Sequence, residues 1–202
     1  MTADRLLYVT TAIPYVNARP HLGFAFEIVL ADVIARHARR KGRAVRFVSG
    51  TDENSLKNAL AAERAGAALG PFVAENAEAF RALGAALGAS YDDFVRTGVD
   101  PRHRAAVEAL WAACRHDFYR GRYRGLYCAG CEAFRDLDEG ASCPEHAGPL
   151  EEVDEENWFF RLSRHERAVR DALERTAGTG AAAREVGALL ERGLRDVSVS
   201  RD

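Results

Sequence analysis

The sequence predicts an α/β fold: a parallel sheet with helices, followed by a small cysteine-bearing module. Three observations predict it. Two apolar, β-branched runs, residues 6–11 and 45–50, flank a segment whose apolar residues recur at helical spacing. Such a β-loop-α-β unit closes by a right-handed crossover into parallel strands. After Phe118 the chain turns aromatic and Gly-rich, with the alternation of short antiparallel strands. Paired cysteines then follow.

Each element has its own warrant. Residues 6–11, Leu-Leu-Tyr-Val-Thr-Thr, read as a buried parallel strand. Pro14 and Pro20 hold the next segment in a loop. From about residue 21 to residue 40, Leu22, Phe26, Val29, Leu30, Val33 and Ile34 mark the apolar side of a helix. Arg36, Arg39, Arg40 and Lys41 suit its negative end, and Gly42 ends it. Residues 45–50 form the second strand, with Asp52 just past its carboxyl end, the rim where open α/β sheets hold ligands. Helices are predicted over 55–65, 71–87 and 101–117, the last capped by Asp100 with Pro101 at its first position. Strands follow over 119–127 and 158–162, separated by an acidic stretch at 151–156. Ser163 is placed as the cap of a helix starting at Arg164, and a last helix spans about 183–192.

The chain has 202 residues, of which 48% are hydrophobic, enough for a real core and unlike a disordered segment. The net charge of −2 gives no overall basic signature of a nucleic-acid binder. No apolar run approaches the roughly 20 residues of a membrane span, and no secretion signal opens the chain, so a cytoplasmic location without a membrane partner is expected. Arg greatly outnumbers Lys.

Candidate chemistry begins at His21-Leu22-Gly23-Phe24, where the chain enters the first helix, with Pro14 and Asn17 upstream. A helix start exposes unpaired N–H groups, a ready site for phosphate. His adds a donor and Gly allows a close approach of the backbone. The bland alternatives are that His21 merely caps the helix, that Asp52 caps the next one and that Tyr15 is plain packing.

Cys128-x-x-Cys131 and Cys143-x-x-His146 form two ligand pairs in tight turns. A Cys3His set favours zinc in a closed, structural, tetrahedral site with no open position for catalysis. Cys114, on a helix near Trp111, is expected to be a buried, inert thiol.

Taken together, these residues resemble a family. The stretch Thr11-Ala12-Ile13-Pro14-Tyr15-Val16-Asn17, leading to Pro20-His21-Leu22-Gly23, resembles the nucleotide-binding signature of class I aminoacyl-tRNA synthetases in the form used by methionyl-tRNA synthetases. Gly50-Thr51-Asp52-Glu53, Gly125-Leu126-Tyr127-Cys128-Ala129-Gly130-Cys131-Glu132 and residues 155–163 resemble, in order, the acidic motif, the zinc knuckle and the strand closing the inserted domain. The resemblance implies a Rossmann-like catalytic domain, present as its first half over 1–117. It implies a zinc-knuckle connective-peptide insertion over 118–175, then a helix and return segment over 176–202. It further implies formation of an aminoacyl adenylate from amino acid and ATP, with Mg2+ accompanying the ATP, and then esterification of tRNA. His21 becomes the catalytic residue. Pro14, Asn17, His21, Gly23 and the residue at Phe24 fall on the ATP site. Ile13, Tyr15 and Asp52 fall on the site for methionine or a similar amino acid, with Asp52 taking the ammonium group.

Three departures qualify that expectation. The signature's second His is Phe24 here, which removes a phosphate donor of the kind that contributes about 2.7–4 kcal/mol to a transition state. Asn54-Ser55 replaces the usual His-Gly after the acidic motif. The family's second catalytic half, with its Lys-Met-Ser-Lys-Ser loop, has no counterpart in these residues, so little adenylate formation is expected from the chain by itself. A separate chain is one source of that half. The competing readings are a paralogue that passes its amino acid to another acceptor and a non-enzymatic binding module derived from a synthetase.

Overall fold

The computed structural model of the chain describes residues 6–128, 133–135, 142–143, 150–175 and 181–200. It divides into two compact units, Met1–Glu108 and Ala109–Asp202.

The first unit runs β1 (Leu7–Thr10), α1 (Leu22–Arg40), β2 (Val45–Thr51), α2 (Leu56–Arg64), α3 (Leu69–Ala86) and β3 (Asp93–Arg96), then enters α4 (Pro101–Ala113). The strands form one parallel sheet in the order β1-β2-β3. The core joins Phe24, Ile28, Ala31 and Ala35 of α1 to Val9 and Phe47 of the sheet and to Val73, Ala77 and Phe80 of α3. Alanines on the inner face of α1 let its backbone lie close to the strands.

The buried stripe of α1 is therefore Phe24, Ile28, Ala31, Ala35 and Ala38. This corrects the face expected from the sequence, because the larger apolar side chains point outward. Leu22 is 83% exposed and Phe26 68%, with Val29, Leu30, Val33 and Ile34 also exposed. Both stripes satisfy the helical period, and size misidentified the inner one.

β3 is an element the sequence reading lacked. It is short and carries charge at both ends, and those charges are paired: Asp93 with Arg46 and Arg102, Arg96 with Glu53. Gly50 permits the contact between β2 and β3, since a Cβ there would collide with the Val95 carbonyl oxygen. Asp100 caps α4 as expected, its Oδ1 accepting from the Arg102 N–H at 2.9 Å. The α-helix ends at Ala113 and a 3-10 turn covers Arg115–Asp117, which shortens the predicted helix.

The second unit carries an antiparallel sheet in the order β5-β4-β6-β7, built from β4 (Phe118–Cys128), β5 (Ala133–Arg135), β6 (Glu151–Phe160) and β7 (Val197–Ser198). Helices α5 (Glu166–Arg175) and α6 (Ala181–Glu191) lie between β6 and β7 in the chain. The acidic stretch is not a separator but half of β6. Arg120, Arg122 and Arg124 alternate along β4 and reach diagonally to Glu156, Asp154 and Glu152. Each such exposed pair contributes at most about 1 kcal/mol, but together they disfavour a slipped register. Trp111 stacks on Phe118 with ring centroids 4.0 Å apart and meets Trp158 edge-on at 5.8 Å.

Two smaller expectations are corrected in this unit. Ser163 lies inside a 3-10 turn, Leu162–His165, and its hydroxyl donates to Asp196 Oδ1 at 2.6 Å rather than capping a helix. Cys114 is half-exposed rather than buried.

Candidate nucleotide and amino-acid site

The loop after β1 is fixed to the sheet at several points. Thr11 Oγ1 lies 2.8 Å from Ser49 Oγ, and the Ala12 N–H donates to Glu27 Oε1 of α1 at 2.6 Å. The Asp52 N–H donates to the Pro14 carbonyl at 2.9 Å, so Tyr15 and Asp52 form a parallel bridge beyond the strand ends. Val16 is fully buried, and its carbonyl accepts from Asn76 Nδ2 of α3 at 2.9 Å. Asn58 of α2 donates from Nδ2 to the Asp52 carbonyl at 3.2 Å. The two segments read from sequence as one site are thus brought together by backbone pairing. Ile13, next to the bridge, is 43% exposed.

Asp52 is half-buried, and its Oδ1 accepts from the Asn54 N–H at 3.1 Å. No hydrogen bond or ion pair reaches its Oδ2 among the described residues. The cap of α2 is Ser55, whose hydroxyl accepts from the Lys57 N–H at 3.0 Å, so Asp52 is not spent as a helix cap. The neighbouring Glu53 is held by a 2.5 Å ion pair to Arg96, while its N–H donates to Thr97 Oγ1 at 2.9 Å. These bonds anchor the segment after β2 to β3.

His21 does cap α1. Its backbone is extended and its Nδ1 accepts from the Gly23 N–H at 3.0 Å. An accepting Nδ1 carries no proton, so in this tautomer the ring N–H is on Nε2. Capping and a donor role are therefore compatible. Gly23 makes this possible, because a Cβ there would lie 2.8 Å from Cε1 of the His21 ring.

Tyr15, Asn17, Arg19, His21, Phe24 and Lys57 line a cleft of about 190 Å³. This is below the roughly 300–1,000 Å³ of small-molecule sites. Phe24 directs its ring into the core, edge-on to Phe80 with centroids 4.9 Å apart. Arg19 is engaged by Glu75. Glu27, Lys57, Asn58 and Asn76 were not singled out from sequence, since each reaches the loop from another element and leaves no local motif.

Of the expected zinc ligands, Cys128 is 3% and Cys143 1% exposed, while Cys131 and His146 lie outside the described residues. Cys128 is the last residue of β4, and a buried thiol is a soft ligand type. No group of three or more potential ligands converges among the described residues.

Comparison with known proteins bears directly on this geometry. The family profile described as tRNA synthetases class I (M) matches residues 7–149. The chain belongs to the methionyl class I aminoacyl-tRNA synthetase family. It is 36% identical to the methionine–tRNA ligase of Brucella suis and 40% identical to that of Thermosynechococcus vestitus, each over 96% of this chain. It superposes with a TM-score of 0.90 at 34% identity on the Mycobacterium tuberculosis methionyl-tRNA synthetase in complex with methionyl-adenylate, over 98% of this chain and 41% of that one. The chain spans 40% and 38% of the length of the two curated relatives. As a member of this synthetase family, it has the expected α/β fold with a parallel sheet.

Proposed function

We propose that the chain supplies the nucleotide- and amino-acid-binding half of a methionine-activating ligase. His21 donates from Nε2 to a phosphate oxygen of ATP, and Pro14, Asn17 and Gly23 shape the same wall. Asp52 receives the ammonium group of methionine, aided by the backbone at Ile13, and Tyr15 flanks the side chain. ATP enters with Mg2+. The activated amino acid passes to tRNA once the rest of the catalytic domain is present, joined or supplied by a separate chain. The single observation that carries this reading is the pairing of the Asp52 N–H with Pro14, which sets an ammonium acceptor beside the loop that leads to His21. The adenylate step is an in-line displacement, so positioning and charge stabilisation are the protein's contribution.

Cys128, Cys131, Cys143 and His146 would hold a structural Zn2+ in the second unit. The buried Cys128 and Cys143 support that set. When bound, the ion ties turns together and supplies no catalytic position.

The decisive experiment is methionine-dependent exchange of pyrophosphate into ATP. The 202-residue chain by itself is expected to show little or none. Adenosine and ATP should nevertheless bind it measurably, and Asp52→Asn should abolish methionine binding with little effect on adenosine. Failure of both ligands to bind overturns the reading. One observation favours a paralogue with a non-tRNA acceptor: Phe24 is packed on Phe80 and offers no phosphate donor. Comparing tRNA charging with release of free adenylate in a full-length relative separates the two readings.

A further inference from the structure

The chain holds 28 basic residues, yet just two are lysines, Lys41 and Lys57. Lys41 is exposed at the C-terminal end of α1, where a cation suits the helix dipole. Lys57 sits in the first turn of α2, the end where a cation is disfavoured. It is half-buried, with Nζ 5.5 Å from the centre of the Tyr15 ring, and it lines the cleft that also contains His21. No carboxylate pairs with it among the described residues. An uncompensated ammonium at the positive end of a helix, seated on an aromatic face, is an arrangement that an incoming anion relieves. A compact ammonium also presents its charge as a point, unlike the planar guanidinium used nearly everywhere else in this chain.

We propose that Lys57 is a substrate-contacting residue of the nucleotide cleft, donating from Nζ to a phosphate oxygen of the bound triphosphate. The assignment rests on the ATP reading above and deepens it. It gives the cleft a cation from α2 that no carboxylate among the described residues pairs with, whereas Phe24 of α1 supplies no donor. The Tyr15 ring holds the ammonium before the ligand arrives.

The presence of two lysines makes the test direct. The chain is acetylated under limiting reagent with ATP, inorganic triphosphate, adenosine or methionine present, and modification at each lysine is read by peptide mass spectrometry. ATP and triphosphate should slow Lys57 at least fivefold, while adenosine and methionine leave it unchanged and Lys41 reacts equally throughout. Lys57→Met should weaken triphosphate binding about tenfold without altering adenosine binding, and Lys57→Arg should restore it incompletely. Unprotected Lys57 at saturating ATP, or protection by methionine in place of triphosphate, overturns the proposal and leaves the ATP reading intact. Absence of binding by both adenosine and ATP removes the ATP reading and this assignment with it.

Discussion

At Gly23 one absent methyl group decides whether α1 is capped. Gly23→Ala drives a Cβ against the His21 ring and breaks the Nδ1 acceptor bond. The loss of the cap should cost about 1 kcal/mol, read as a lowered midpoint in urea, and should weaken ATP binding several-fold in calorimetry. Phe24→His, the change that would rewrite the signature in its usual form, should not rescue function. The side chain faces Phe80 inside the core, so a buried imidazole replaces an aromatic contact. A destabilisation of about 2 kcal/mol is expected, again from urea unfolding. At this scale the placement of His21, Gly23 and Asp52 was legible, because a turn into a helix and an acid at a strand end are local patterns. Asn76 and Lys57 were not, because what they reach lies 60 residues away for the first and on the distant Tyr15 ring for the second.

Helix α1 and the turn before β3 are joined by Asp32, whose Oδ1 accepts from both the N–H and the hydroxyl of Ser90, at 2.7 and 2.5 Å. Burial pushes this carboxyl up, but the Ser90 bonds and Arg36 together bring it below the ordinary range. The sign follows by linkage: the native state favours the ionised form, so Asp32 contributes fully above the unfolded carboxylate value near 3.9 and loses its contribution as pH falls through the lower native value. Asp32→Asn should therefore lower thermal stability at pH 7 by about 1–3 kcal/mol and by progressively less below pH 4, measured by melts across that range. The elements most visible in the sequence were those with a long apolar period or a clean β-branched run. β3 escaped because half of its residues are charged, and β6 was truncated for the same reason. In both strands the charges meet opposite partners on neighbouring elements, which only the tertiary arrangement provides.

Across the whole chain, the departure that matters most is the outward stripe of α1. Among the described residues the outer edge of β1 carries no strand, and its Leu6 and Tyr8 are exposed as well. The groove beside that edge is lined by Leu7, Val33 and Ile34. Phe26→Glu and Leu30→Glu should therefore shift stability by no more than about 0.5 kcal/mol, while raising solubility and shortening retention on a hydrophobic column. A loss of several kcal/mol would mean that these side chains are covered within the chain. Both outcomes are read by comparing urea midpoints with column behaviour. The stripe also turns concentration into a kinetic variable. Encounters between two such surfaces are second order, so the half-life of the dispersed chain falls in inverse proportion to its dose, and dilution prolongs it.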